Sequence, residues 1–263
     1  MPQSPRRNLL PSVDSILTHR LPRRAFLDWT LRAGTVGAAA LWTPGVLADE
    51  LTATPSHQAL DGPFYPDVMP LDTDNDLLIV NDGITPAVGE ITHLHGTVTT
   101  VTGAPVRNAF VEIWQCDANQ SYRHTNGVRS DVAPDSNFQG YGRFLTNVRG
   151  EYYFRTIKPV PYTLGGVSRT PHIHFGISRH GQRIFSSQML INGHPENERD
   201  LLTSRIEDPL AKETLLVDFR PLPGSRIGEL TARFDIVLGR TVEELDDGTL
   251  GWGLGAPPAM GRG

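Results

Sequence analysis

Apolar and polar residues alternate in short runs through the middle of the chain. Residues 93–101 alternate regularly, the turn residues 102–105 follow, and residues 108–114 form a second run. A period of two is typical of a half-buried β-strand, and a turn containing Gly and Pro between two such runs predicts a hairpin. We therefore expect the first two strands of the domain to pair with each other.

Further runs of the same kind predict an all-β protein. They are bounded by Gly and Pro, whereas helical patterns are brief and cover only 196–204 and 209–212. Many short strands with few helices favour a β-sandwich of the prealbumin or immunoglobulin type, which we expect to span 91–245. The additional predicted strands are 141–146, 152–157, 172–178, 183–191, 214–219 and 231–237.

Two segments flank the predicted sandwich. Residues 49–90 contain turn signals but also Phe, Tyr and Leu, so we expect an irregular arm that packs on the domain. Asp72, Asp74 and Asp76 have the spacing of calcium ligands, but the glycine and the closing glutamate of an EF-hand loop are missing. Residues 246–263 are rich in glycine and predict a mobile tail.

The first 48 residues differ in character from the rest. They contain six arginines against two aspartates, including the pair Arg23 and Arg24, followed by a weakly apolar run at 33–41 and a small residue, Ala48. This order resembles a twin-arginine signal peptide and implies that the twin-arginine machinery exports the protein to the periplasm or beyond. The run is too short for a permanent membrane span. The alternative is an unstructured basic tail.

Net charge and cysteine content narrow the classes of partner. The chain carries a net charge of −5 although its N-terminal segment is basic, so the remainder is acidic. Nucleic acid is therefore an unsuitable partner, because phosphate binding needs a basic face.

Cys116 is the single cysteine, which excludes an intrachain disulfide. We interpret it as a small buried apolar residue beside Trp114.

A candidate metal clamp lies in the stretch 169–175. Successive side chains of a strand point to opposite faces, so His172 and His174 share one face while Ile173 and Phe175 point into the core. Imidazole suits zinc, copper, iron or nickel, so the other ligands must decide the metal.

A second His-x-His pair, at His93 and His95, repeats this spacing. It has no tyrosine, cysteine or arginine near it in the sequence, and we interpret it as structural or surface-exposed.

Two tyrosines near these histidines narrow the choice of metal. Tyr122 lies in a polar loop after the second strand, and Tyr162 follows a proline-rich loop. A tyrosine has a pKa of about 10 and binds as phenolate only to a strongly Lewis-acidic cation. Ferric iron meets this requirement and zinc does so poorly. Tyr122, Tyr162, His172 and His174 would form a site with two phenolates, two imidazoles and a fifth position for hydroxide.

The sequence resembles the intradiol ring-cleavage dioxygenases, most closely the β-subunit-like part of the protocatechuate 3,4-dioxygenase branch. The resemblance covers about residues 61–221 and rests on several separated motifs in the same order. It implies that Tyr122, Tyr162, His172 and His174 bind Fe(III), and that Arg169 and Gln188 lie over the substrate ring. The motifs are Gly-Pro-Phe-Tyr-Pro at 62–66, the strand at 106–114, Tyr-Arg-His at 122–124, the run at 152–162, Pro-His-Ile-His-Phe at 171–175 and Gln-Met at 188–189.

The resemblance also implies a reaction. A catechol-type substrate would bind the iron, Tyr162 would accept a substrate proton, and O2 would react at a ring carbon, with cleavage between the two hydroxylated carbons. Arg169 stabilises the developing negative charge, Gln188 orients the reacting groups, and the product is a muconate-type diacid. Arg123, Arg129 and Arg143 are candidate partners for a carboxylate on the substrate.

Other functions are compatible with parts of this pattern. Exported prealbumin-like sandwiches also serve as non-catalytic binding modules, and a fold alone does not define a function. A zinc hydrolase using His172 and His174 would need a nearby carboxylate or cysteine as third ligand. The arm at 61–76 is a candidate surface for self-association, so a homo-oligomer is a further expectation.

Overall fold

The computed structural model describes residues 50–239 except 58–59, 61, 82, 124–130, 165 and 202. The predicted signal peptide (1–48) and glycine-rich tail (246–263) lie outside these residues. The described elements are β1 (Ile91–Thr100), β2 (Phe110–Trp114), β3 (Tyr141–Leu145), β4 (Glu151–Ile157), β5 (Tyr162–Leu164), β6 (Val167–Arg169), β7 (His172–Arg179), β8 (Gln182–Ile191), two 3-10 turns (Asn197–Arg199 and Thr203–Arg205), α1 (Pro209–Glu213), β9 (Leu216–Val217), β10 (Phe219–Pro221), β11 (Leu230–Arg233) and β12 (Ile236–Leu238).

The strands form two five-stranded sheets and a separate hairpin. In the first sheet β1 is central: it pairs with β4 on one edge and with β11 and then β12 on the other, and β10 extends the sheet beyond β11. The second sheet has the order β3-β2-β7-β8-β9, and β5 pairs with β6 in the hairpin. The prediction of an all-β fold is confirmed.

The two sheets share one hydrophobic core. Alternate residues of β7 point into it, and Ile173, Phe175 and Ile177 are fully buried. The ring of Phe175 lies 6.0 Å from that of Tyr152 on β4 and 4.8 Å from that of Phe234, which lies between β11 and β12. The second sheet therefore packs directly against the first sheet. The predicted inward direction of Ile173 and Phe175 is confirmed, which leaves His172 and His174 on the outer face of the second sheet.

The predicted hairpin between the first two strands is wrong. The chain does turn back after β1, and the Val106 amide donates to the Val98 carbonyl at 2.9 Å. Asn108 then takes a left-handed backbone conformation with φ of 55°, and the chain crosses to the second sheet, where β2 pairs with β3 and β7. Alternation predicts that a strand forms but does not say which sheet it joins.

Other predicted boundaries also needed correction. The predicted strand 231–237 is divided into β11 and β12 at Phe234, whose amide donates to His95 instead of continuing the ladder. The predicted helix 196–204 is two 3-10 turns, and the predicted strand 214–219 contains β9 and the start of β10. The short helix near 209–212 is confirmed as α1, which Asp208 caps by accepting from the Leu210 amide.

The arm preceding β1 contributes to the core. Leu77 and Leu78 are fully buried, and the Leu77 amide donates to the Arg155 carbonyl on β4 at 2.8 Å. The carboxylates of Asp72 and Asp74 accept hydrogen bonds from backbone amides two residues further on, as in tight turns. Among the described helices, none has the length and apolar character needed to cross a membrane.

Candidate metal site and active site

The outer face of the second sheet places four predicted site residues close together. His172 and His174 on β7 are buried, and His174 lies in register with Trp114 on β2 and with Gln188 on β8. Trp114 stacks on His174 with ring centroids 5.0 Å apart and planes 4° from parallel. The rigid ladder and this stacked ring therefore fix the direction of the His174 imidazole.

The backbone determines which nitrogen of each imidazole carries the proton. Nδ1 of His172 lies 2.7 Å from the Thr170 carbonyl, and Nδ1 of His174 lies 3.0 Å from the Leu60 carbonyl. A carbonyl only accepts, so both Nδ1 atoms carry a hydrogen and both Nε2 atoms present lone pairs. The two Nε2 atoms lie 3.2 Å apart and face each other.

Burial keeps both imidazoles neutral. Burial and the nearby Arg169 guanidinium lower the pKa of His172 to about 3. Burial also lowers the pKa of His174 well below its ordinary value, and the neighbouring His172 adds to the effect. Two opposed lone pairs on neutral rings repel each other unless a cation lies between them. This arrangement therefore fits a metal cation.

Two buried phenols complete the cluster of four rings. Tyr162 begins β5, and its ring centroid lies 5.4 Å from that of His172; Tyr122 lies 6.2 Å from His174 and 5.6 Å from Tyr162. Burial raises the pKa of both tyrosines, and the neighbouring Tyr162 adds to the effect at Tyr122. The structure thus brings together two imidazoles and two phenols, which could jointly hold one metal ion.

The arm covers this cluster from the side opposite the sheet. Phe64 stacks on Tyr122 at 4.5 Å and meets Tyr162 edge-on at 6.0 Å. Gly62 has φ of 64°, and a Cβ atom there would lie only 3.1 Å from Cε1 of His174. A glycine is therefore needed where the arm passes the imidazole.

A second group of buried polar side chains adjoins the rings. Arg169, at the end of β6, donates from Nη2 to Oε1 of Gln188 at 2.7 Å and from Nε to Oδ2 of Asp200 at 2.7 Å. Gln188 in turn donates to the Leu60 carbonyl at 3.0 Å, the same carbonyl that holds His174. Arg169 and Gln188 thus lie beside the four rings.

Asp200 was not identified from the sequence. It lies in a stretch interpreted as a short helix, where an aspartate is normally solvated, yet its side chain is completely buried. Burial alone would lower the pKa of Arg169, but the hydrogen bond and charge of Asp200 outweigh it, so the pKa is raised.

Other residues considered from the sequence have different partners. Arg123 donates to the Phe138 carbonyl at 3.0 Å and lines a cavity of about 300 Å³. Arg143 lies over the Phe110 ring at 4.3 Å, and Arg129 lies outside the described residues. These interactions do not bring Arg123 or Arg143 into contact with the four-ring cluster.

The second histidine pair belongs to the first sheet. His93 is bonded to Tyr153 at 2.7 Å and to Glu229 at 3.1 Å, and His95 is bonded to Thr231 at 3.3 Å. Within the described part of the chain, no three His, Cys, Asp or Glu side chains are grouped so that they could hold a metal. The third ligand that a zinc hydrolase would need is therefore missing from these residues.

An all-β sandwich with two imidazoles and two phenols at one buried point is a candidate metalloenzyme. The chain belongs to the dioxygenase family whose model, Dioxygenase_C, matches residues 60–240. This assignment confirms the prediction of an intradiol dioxygenase enzyme at the level of the family.

Individual relatives agree with this family. The chain is 37% identical over 156 residues to the protocatechuate 3,4-dioxygenase β chain of Burkholderia cepacia, a match covering 53% of this chain and 65% of that protein. It is 29% identical over 231 residues to the hydroxyquinol 1,2-dioxygenase of Corynebacterium glutamicum, covering 80% and 72%. The mercury-inhibited structure of catechol 1,2-dioxygenase from Acinetobacter sp. ADP1 is 25% identical, with a TM-score of 0.52 and coverage of 85% and 71%.

Proposed function

We propose that this protein is a non-haem Fe(III) intradiol dioxygenase. It would cleave the ring of a catechol-type substrate between its two hydroxylated carbons with O2 and release a cis,cis-muconate-type diacid. The observation that supports this proposal is the pair of unprotonated Nε2 atoms 3.2 Å apart, placed beside two buried phenols. This donor set fits a cation, and it contains no carboxylate or thiolate.

The phenols favour ferric iron over other cations. Burial raises the pKa of Tyr122 and Tyr162, so only a strongly Lewis-acidic ion would displace their protons at neutral pH. Tyr122, Tyr162, His172 and His174 would hold the ion. When bound, Fe(III) withdraws electron density from an aromatic diol and makes its ring reactive toward O2.

Tyr162 is suited to move a proton in this reaction. Tyr162 is buried on the short strand β5, with its ring 5.6 Å from that of Tyr122 and 5.4 Å from that of His172. Because burial raises its pKa, the Tyr162 phenolate is a strong base once formed. It would accept the proton of a substrate hydroxyl at its phenol oxygen.

Arg169 and Gln188 would act on the substrate ring. The guanidinium of Arg169 cannot lose its proton, so it supplies a fixed positive charge next to the four rings, where negative charge develops on the substrate. Its hydrogen bond to Oε1 of Gln188, together with the bond from Nε2 to Leu60, fixes the orientation of the Gln188 amide. Both groups are thus held in place before a substrate arrives.

Visible spectroscopy and oxygen uptake test this proposal. The purified protein loaded with iron should be red-brown from a tyrosinate-to-iron band, and one or more of catechol, hydroxyquinol and protocatechuate should shift that band without O2 and be consumed with it. Tyr122→Phe should weaken the band and abolish turnover. The matched control, Tyr153→Phe, removes a hydroxyl bonded to His93 on the first sheet and should do neither. A colourless protein after iron loading would favour the binding-module alternative.

We also propose that the protein is exported and self-associates. Export is supported by the Arg23 and Arg24 pair ahead of a weakly apolar run. Replacing both arginines with lysine should retain the protein in the cytoplasm on cell fractionation, and an unchanged distribution would contradict export.

Light scattering of the full chain tests the proposed self-association. A mass equal to that of one chain would contradict it.

A further inference from the structure

The segment after β8 buries three polar side chains. Asn197, Asp200 and Thr203 are 8%, 1% and 1% exposed, while Glu198 and Arg199 between them point to solvent. Buried polar groups are costly unless each has a partner, so this segment must make specific contacts.

Asp200 uses both carboxylate oxygens. Oδ2 accepts from Nε of Arg169 at 2.7 Å, and Oδ1 accepts from the Thr203 amide at 3.2 Å. The backbone contact fixes the carboxylate plane, and the carboxylate in turn fixes the guanidinium. An arginine side chain has many rotamers, so a partner of this kind selects one of them.

Continuous hydrogen bonds connect this carboxylate to the four-ring cluster. They run from Asp200 to Arg169, from Arg169 to Gln188, and from Gln188 to the Leu60 carbonyl that also receives the His174 imidazole. The displacement of Arg169 would therefore also release the amide of Gln188.

A parallel contact supports the other histidine. The Thr170 hydroxyl donates to Oδ1 of Asn197 at 2.7 Å, and the Thr170 carbonyl accepts from His172. The segment thus holds the two residues, Arg169 and Thr170, that lead into β7.

We propose that Asp200 is a positioning residue that holds the Arg169 guanidinium in the direction required by the aromatic substrate. This inference rests on the proposed function. Asp200 touches neither the four rings nor, by this proposal, the substrate, and it acts through Arg169. If Asp200 served only to neutralise a buried cation, its loss would change stability and leave turnover by the folded enzyme intact.

Asp200→Asn tests the inference with little change in volume. The carboxylate accepts from three donors, Nε of Arg169 and the amide and hydroxyl of Thr203. An amide offers one oxygen and one NH2 group, so at least one of these contacts is lost, and the negative charge that faces Arg169 is removed in either orientation. The matched control is Asp218→Asn, which disrupts an exposed aspartate–arginine contact of 2.6 Å with Arg220.

We expect Asp200→Asn to lower kcat about 10- to 100-fold while KM changes less than about threefold, because a misplaced charge acts mainly on the transition state. The tyrosinate band should stay in place, since the four rings are unaltered. Asp218→Asn should match the parent enzyme. A kcat for Asp200→Asn within about twofold of the parent value would overturn the proposal.

A double variant keeps the test valid if Asp200→Asn folds poorly. Arg169→Met with Asp200→Asn removes both charges and leaves no unpaired buried ion. Because Asp200 acts through Arg169, this variant should have the kcat of Arg169→Met alone, and a further tenfold loss would contradict the proposal.

Crystallography separates the inference from the proposed function. In the iron-loaded Asp200→Asn protein, the distance from Nη2 of Arg169 to Oε1 of Gln188 should exceed hydrogen-bonding range, compared with 2.7 Å here. If the parent protein cleaves no aromatic diol, the proposed function fails, and this distance still reports on positioning. An unchanged distance would refute the positioning role whatever the activity.

Discussion

The guanidinium of Arg183 lies against the backbone of Gly176, so we expect a side chain at position 176 to destabilise the protein. A Cβ atom at Gly176 would lie 1.1 Å from Nη1 and 2.4 Å from Cζ of Arg183. Non-bonded heavy atoms are optimally about 3.5–4.0 Å apart, so Gly176→Ala must displace the guanidinium.

The displacement would break a buried ion pair. Arg183 is 2% exposed, and its Nη2 lies 3.2 Å from Oε2 of Glu112, which is 6% exposed. Removing one partner of such a pair costs about 3–5 kcal/mol. Tyr65 and Tyr141 would still donate to Glu112, at 3.1 and 2.5 Å, so we expect about 3 kcal/mol. For a domain of this size that corresponds to a fall in Tm of roughly 6–12 °C.

The assay is thermal and urea unfolding of four proteins: the parent, Gly176→Ala, Arg183→Met and the double variant. Because methionine lacks the guanidinium that meets the new methyl group, the double variant should be no less stable than Arg183→Met alone. A free energy of unfolding for Gly176→Ala within about 0.5 kcal/mol of the parent value, a range typical of surface changes, would refute the reasoning. Fully additive losses in the double variant would also refute it.

Three further predictions concern other parts of the chain. Burial and Arg169 lower the pKa of His172 to about 3, whereas an unfolded imidazole titrates near 6.5. The unfolded state therefore binds the extra proton, and the stability of the metal-free protein should fall as pH decreases from about 6.5 toward 3. The urea midpoint of His172→Asn should depend less on pH than that of the parent protein, and an equal pH dependence of the two midpoints would contradict this. Leu77→Ala should cost about 3 kcal/mol because the side chain is fully buried, whereas Leu71→Ala, at a fully exposed position, should cost under about 0.5 kcal/mol by urea denaturation. Burial, assisted by Asp117, raises the pKa of Cys116 to about 12, so Ellman's reagent should label it only after unfolding, and rapid labelling of the native protein would contradict this.

Local patterns in the sequence predicted the features that depend on neighbouring residues. The period of two in β7 was sufficient to place His172 and His174 on one face and Ile173 and Phe175 in the core, because alternation is a property of a single strand. The same reasoning predicted the all-β class. The resemblance to a family added Arg169, since its motifs extend beyond any one strand.

These patterns could not predict contacts between segments that are far apart in the sequence. The bond from His174 to the Leu60 carbonyl spans 114 residues, and a carbonyl is present in every residue, so no side chain signals it. Asp200 is 31 residues from Arg169 and follows the last motif that supports the resemblance. The β5–β6 hairpin, which contains Tyr162 and Arg169, was missed because three-residue strands are too short to show a period.

The alternation along β7 links correct folding to the position of the two imidazoles of the proposed metal site. A slip of one residue against β8 would turn Ile173 and Phe175 outward and bury both imidazoles in the core. The slipped chain would lose its hydrophobic contacts as well as the two proposed metal ligands. The irregularity after Ile177 helps to fix the correct pairing. Every stably folded molecule in a preparation should therefore have its imidazoles in place. For the proposed metal site, a metal content below one ion per chain would then measure incomplete loading, and added metal should restore it without refolding.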